Sequence, residues 1–186
     1  MGLRVAFELD DNDLKHFRLI MREVRKNVAR LAPEDIVANA QTQLADVSEA
    51  SAPGFILDRI HRLRLMISML TDIEWRLPHE EATRVLNALA YFTEPEDLIP
   101  DHIPGVGFLD DAIMVELVVR ELEHEIEAYE DFCNYRDSAG SSRRVARVSR
   151  EDWLETRRKE LQSRMRRRRK ESAGKDPGKS AIGIFD

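Results

Sequence analysis

A mostly α-helical bundle is the fold class this sequence predicts, and three observations predict it. Apolar residues recur at spacings of three and four over most of the chain, prolines fall at the ends of those periodic stretches, and only one short segment alternates with period two. The full expectation is a helical body with a Pro/Gly-rich turn between two antiparallel helices, an optional short N-terminal strand, a basic C-terminal helix and a disordered tail.

Leu3, Val5, Phe7 and Leu9 alternate with Arg4, Ala6, Glu8 and Asp10, which is the strand option. From Asp13 the period changes. Leu14, Phe17, Met21, Val24, Val28 and Leu31 form an amphipathic seam, with Asp10, Asp11 and Asp13 at its start, where carboxylates cap free amides. That seam serves either a dimer interface or packing within the bundle, and its shortness favours packing. Pro33 ends it and opens a second helix carrying Ile36, Val37, Ala40, Leu44 and Val47 on one face.

After a loop at Ser48 to Gly54, a third helical pattern runs through Ile56, Ile60, Leu63, Met66, Ile67, Leu70, Ile73 and Leu77. Pro78 closes it. A fourth helix from His79 buries Ala82, Val85, Leu86, Leu89 and Phe92 before Pro95 stops it. Pro95, Pro100, Pro104, Gly105 and Gly107 exclude a continuous helix between Glu94 and Gly107, so this stretch is a shaped turn. A long helix follows from about Asp111 to Tyr135, with Val115, Val118, Val119, Leu122, Ile126, Tyr129 and Cys133 as its buried stripe.

Ser138 to Ser142 marks a boundary, and the charge reverses there. Residues 1–142 hold 14 Lys and Arg against 28 Asp and Glu, whereas residues 143–186 hold 15 against 7. The division is therefore a helical body over 1–137 and a basic extension over 138–186. Trp153, Leu154, Leu161 and Met165 give the last helix a thin apolar face, so it is expected to project or fray, with disorder from about Ser172 onward.

The segment from Glu94 to Val118, EPEDLIPDHIPGVGFLDDAIMVELV, is the most informative in the chain. Its Pro95, Asp97, Leu98, Ile99, Pro100, Asp101, Ile103, Pro104, Gly107, Asp110 and Asp111 resemble the signature turn of the bacterial YkvA-like family, a domain of uncharacterised function. The resemblance extends over about residues 79–135 and implies a helix, a turn and a second helix, without implying an activity. Some relatives combine the module with membrane-spanning segments. Here Glu116, Glu121, Glu123, Glu125 and Glu127 make the second helix acidic, a departure from that pattern.

Four groups of residues bear on chemistry. Asp97, Asp101, Asp110 and Asp111 form a candidate divalent-metal site, set against the structural reading in which they cap helix starts. Glu121 with His124, and Asp58 with His61, have the spacing of half a di-iron site, but His124 lies about 160 to 200° around the helix from Leu122 and Ile126 and is expected to point outward. Cys133 continues the apolar stripe and reads as a buried structural thiol. Arg157, Arg158, Arg164, Arg166, Arg167, Arg168, Arg169 and Lys170 form a candidate anion-binding tail for nucleic acid or an anionic membrane surface, the alternative being a tail that is solvated or folded back on the acidic body.

No phosphate-cradling loop or serine-hydrolase elbow is present, and no cofactor is implied. The preferred reading is a non-enzymatic interaction or adaptor protein with an unidentified protein partner, in which the acidic helix face and the basic tail are separate docking surfaces. A metal-dependent enzyme or metal-regulated module is the alternative. Lone Cys133, the lack of a leader-like start and the absence of a long apolar run point to a cytoplasmic protein, with peripheral membrane attachment as the variant reading; the oligomeric state stays open.

Overall fold

A computed structural model describes residues 8–46, 54–93, 109–140 and 150–175. Among them lie seven helices: α1 Asp11–Val28, α2 Pro33–Asp46, α3 Gly54–Thr71, α4 His79–Tyr91, α5 Leu109–Glu121, α6 Glu123–Gly140 and α7 Arg150–Lys175. The mostly α-helical bundle expected from periodicity is what the chain forms. The strand expected at Leu3 to Leu9 falls chiefly on residues outside the described ones, as does the tail beyond Lys175.

The first helix starts where local chemistry dictates. Asp10 Oδ1 accepts from the amides of Asn12 and Asp13 at 2.7 and 3.0 Å, and Asp13 Oδ2 returns the bond to the Asp10 amide at 3.0 Å. This reciprocal capping box satisfies amides that the first turn would leave bare. Phe17, Met21 and Val24 then face the core, while Leu31 lies beyond the helix and is 45% exposed. Pro33 opens α2, which buries Ile36, Ala40 and Leu44. Both helices pack on α4, whose Val85, Ala88 and Leu89 are completely buried.

α3 is shared by the two helices that flank the signature turn, packing against both α4 and α5. Arg59 reaches Glu116 on α5 at 3.2 Å and Arg62 reaches Glu130 on α6 at 3.7 Å. The third helix ends earlier than its periodicity predicts. It stops at Thr71, and Ile73, expected inside, is 83% exposed. Asp72 causes the stop: its Oδ1 accepts from the amides of Glu74 and Trp75 at 2.9 and 3.1 Å, a local turn that competes with further helix. Arg76 completes the corner in the left-handed region, with φ of 50°. Trp75 is thereby swung into the core, where it is completely buried between Tyr129 and Phe132.

The long helix expected from Asp111 to Tyr135 occurs as α5 and α6, interrupted only at Leu122. Hydrogen bonds run on through the joint, from the Leu122 amide to Val118 and from the Ile126 amide to Leu122, both at 2.9 Å. α7 is the basic C-terminal helix that was expected, but its placement differs. Rather than projecting, it packs along α6, and its Leu154, Leu161 and Met165 are 3%, 0% and 2% exposed. Three buried apolar residues suffice because the remainder of the contact is made by a stacked Trp153, by hydrogen bonds to backbone carbonyls and by paired charges, which the thinness of the apolar face concealed.

Candidate functional site

The most elaborate polar arrangement among the described residues lies where α7 crosses the α3–α4 corner, α4 and α6. It begins at the corner. Tyr129 on α6 donates its hydroxyl to Asp72 Oδ2 at 3.1 Å, and Arg136 donates to the same oxygen at 2.6 Å and to Glu74 Oε2 at 3.2 Å. Burial alone would push the Asp72 carboxyl up; the bonds from Arg136 and from the Glu74 and Trp75 amides outweigh it and hold the group below the usual carboxylate range. Burial, reinforced by Cys133 and Asp72, pushes the Tyr129 phenol well up. It pushes the Cys133 thiol up as well, the opposite of what activates a nucleophile.

From the other side α7 takes hold of the corner's carbonyls. Arg158 donates to Glu74 O at 2.8 Å, and Gln162 Nε2 donates to Trp75 O at 3.0 Å and Arg76 O at 3.2 Å. These bonds give buried backbone acceptors the partners that a non-helical turn cannot supply itself. Alongside, Trp153 stacks on Tyr135 with centroids 3.9 Å apart, and the Arg157 guanidinium lies over the same ring at 5.1 Å.

One helical turn further along α7 the contact becomes ionic. Arg164 pairs with Asp131, and Arg168 with Glu127. Arg169 reaches Glu80 at 2.5 Å, Glu81 at 3.5 Å and Glu125 at 3.4 Å. Glu81 and Glu125 are 1% and 0% exposed. A second cation meets them from α4: Arg84 donates to Glu125 Oε1 at 2.5 Å, to Glu121 Oε1 at 3.3 Å and to the Glu121 carbonyl at 3.1 Å. Glu125 Oε2 has no hydrogen-bond partner among the described residues. Buried carboxylates stay ionised only beside cations, so α4, α6 and α7 are locked together by mutual need.

The candidates drawn from sequence are distributed unevenly over this arrangement. Pro95, Asp97, Leu98, Ile99, Pro100, Asp101, Ile103, Pro104 and Gly107 lie outside the described residues. Asp110 and Asp111 fall in the first turn of α5, which begins at Leu109. Among the described residues no group of three or more His, Cys, Asp and Glu side chains is placed to hold a metal ion.

The Glu-x-x-His pair is divided. Glu121 is bound by Arg84, while His124, expected to point outward, is half-buried under α7 with Nε2 3.0 Å from Ser172 Oγ. Asp58 and His61 are exposed. The expected outward face of α6 is the face α7 covers.

Of the eight candidate anion-binding cations, Arg158, Arg164, Arg168 and Arg169 are committed to α6, α4 or the corner, and Arg157 pairs with Glu160 at 2.9 Å beside Tyr135. Arg166, Arg167 and Lys170 remain on the exposed side. The acidic face and the basic tail, expected as separate docking surfaces, meet each other instead, as the fold-back alternative required. Sequence reasoning missed Trp75, Arg84, Glu81 and Gln162. The available signal was the opposed charge of body and tail, which could have matched an arginine-rich helix to an acidic one.

A model of a protein family of unknown function, DUF1232, matches residues 83–117, which include most of α4, the signature turn and the first part of α5. A Bacillus subtilis (strain 168) protein named "Uncharacterized membrane protein YkvA" is 34% identical over 77 residues, covering 38% of this chain and 71% of that protein. No solved structure matches.

Proposed function

The chain belongs to the YkvA-like family of unknown function, DUF1232, and from that premise we propose that it is a non-enzymatic interaction scaffold whose acidic α4 and α6 face receives an arginine-rich helix. Within the chain that role is filled by α7. The observation that carries this reading is the convergence of Glu80, Glu81 and Glu125, from two helices, on the single guanidinium of Arg169. Glu81 and Glu125, buried almost completely, demand cations beside them, while Glu80 holds Arg169 from the exposed edge, and a helix that supplies arginines at the right spacing is selected by charge and shape together.

The test is a titration. A labelled peptide of residues 150–175 should bind a full-length variant in which Arg164, Arg168 and Arg169 are all changed to Glu, so that its own α7 no longer competes. It should bind the unaltered chain far more weakly, and a peptide of the same composition in scrambled order should bind neither. Equal binding of the scrambled peptide would reduce the face to a nonspecific polyanion and end the proposal.

A second reading rests on the name of the Bacillus subtilis relative, a membrane protein. Among the described residues no helix is long and apolar enough to cross a membrane. Attachment of this chain to a bilayer through those residues would be peripheral, by surface charge.

A further inference from the structure

We propose that the outward face of α7 is a docking strip for an anionic lipid surface, an assignment that rests on the peripheral-attachment reading and gives it a specific set of residues. Ser163, Arg166, Arg167 and Lys170 occur at positions i, i+3, i+4 and i+7, so they form one stripe along the helix, roughly 10 Å long at 1.5 Å per residue. Glu171 lies beside them. All five are exposed.

What distinguishes this stripe from an ordinary solvated helix face is what lies beneath it. Among the described residues, the body carboxylates Glu80, Glu81, Glu125, Glu127 and Asp131 are held by three inner arginines of the same helix, Arg164 on Asp131, Arg168 on Glu127 and Arg169 on the other three. The inner arginines thus offset part of the body's negative charge on the buried side of the helix, and Arg166, Arg167 and Lys170 face away from it. Among the described residues Arg167 pairs with exposed Glu171 at 3.8 Å, a pair that water screens strongly. The rigid docking of α7 also holds the stripe on the outside of the bundle rather than leaving its cations on a fluctuating tail.

The occupant follows from charge and shape. A convex, single-file row of cations presents itself to a plane of phosphate headgroups without any rearrangement, each Lys or Arg contributing roughly fivefold in partitioning near an anionic bilayer. A nucleic acid strand fits less well. Trp153, the aromatic residue of the basic helix, is spent in stacking on Tyr135, so the stripe has no ring for a base. Apolar residues are absent from the stripe, so attachment is electrostatic and reversible rather than insertive.

Sedimentation of the full-length protein with vesicles tests this. Phosphatidylcholine vesicles containing phosphatidylglycerol should carry the protein down at low salt, pure phosphatidylcholine vesicles should not, and high salt should release it. Changing Arg166, Arg167 and Lys170 together to Gln should cut binding on the order of a hundredfold; these exposed positions tolerate Gln without unfolding, which circular dichroism verifies. The double change Arg166→Lys and Arg167→Lys should leave binding as it is in the unaltered protein.

If the unaltered protein ignores both vesicle types, the peripheral-attachment reading and this assignment fall together. If it binds anionic vesicles and the Gln variant binds equally well, attachment stands but this face is the wrong one. Preference for duplex DNA over anionic vesicles would also overturn the assignment.

Discussion

Arg169 Nη1 lies 3.4 Å from Glu125 Oε1, an oxygen of a side chain with no exposed surface, and that oxygen also receives Arg84 at 2.5 Å. One buried carboxylate is thus shared by a cation of α4 and a cation of α7.

Removal of Arg169 leaves Glu125 and Glu81 buried with fewer partners. Stripping a buried ion pair of one member costs roughly 3–5 kcal/mol. Because Arg84 stays beside Glu125, Arg169→Ala should cost less, about 2 kcal/mol, in urea unfolding followed by circular dichroism. In a double-mutant cycle with Glu125→Gln the two changes should be non-additive by about 1 kcal/mol; strict additivity would mean that the residues do not interact.

Leu161 is completely buried between α7 and α6. Leu161→Ala should therefore destabilise the whole domain by about 2–4 kcal/mol. A helix that merely projected would lose a few tenths at most. Calorimetric melting separates these outcomes.

Asp72 supplies an acid-side dependence. Its carboxyl titrates lower in the folded chain than its ordinary value of 3.8. The unfolded chain therefore takes up the proton first, so the stability this group contributes is complete above the unfolded value and is lost as the pH falls through the folded one. Asp72→Asn should flatten the fall of stability in that acid window while lowering stability at neutral pH. Parallel acid profiles for the two proteins would contradict the assignment.

Arg76 occupies the left-handed region at φ 50°, where a side chain costs roughly 1–2 kcal/mol and glycine costs little. Arg76→Gly relieves that strain, loses an exposed pair with Glu151 and pays more chain entropy on folding. The balance should be a gain of about 0.5 kcal/mol by thermal unfolding, and a loss greater than about 1 kcal/mol would show that the side chain holds the corner.

Periodicity and proline made most of the helices legible, since both are local: Pro33 opens α2, Pro78 precedes α4, and Phe17, Met21 and Val24 recur at helical spacing. It failed at Ile73, where the apolar rhythm continued although Asp72 had already turned the chain. It failed again at α7, because an arginine run reads as solvated unless its partners are known, and Glu81 and Glu125 are brought to it only by the fold. The acidic face that receives α7 was equally hidden. Acids on separate helices look like solvent-exposed charge until their shared cation is in view.

The sequence contains two tryptophans, and the fold has put them to different uses. Trp75 is sealed in the core, while Trp153 lies against Tyr135 at the seam that α7 closes. Intrinsic fluorescence therefore carries two addresses: emission from the first should stay blue as long as the body holds, whereas emission from the second should shift to the red whenever the last helix lifts away.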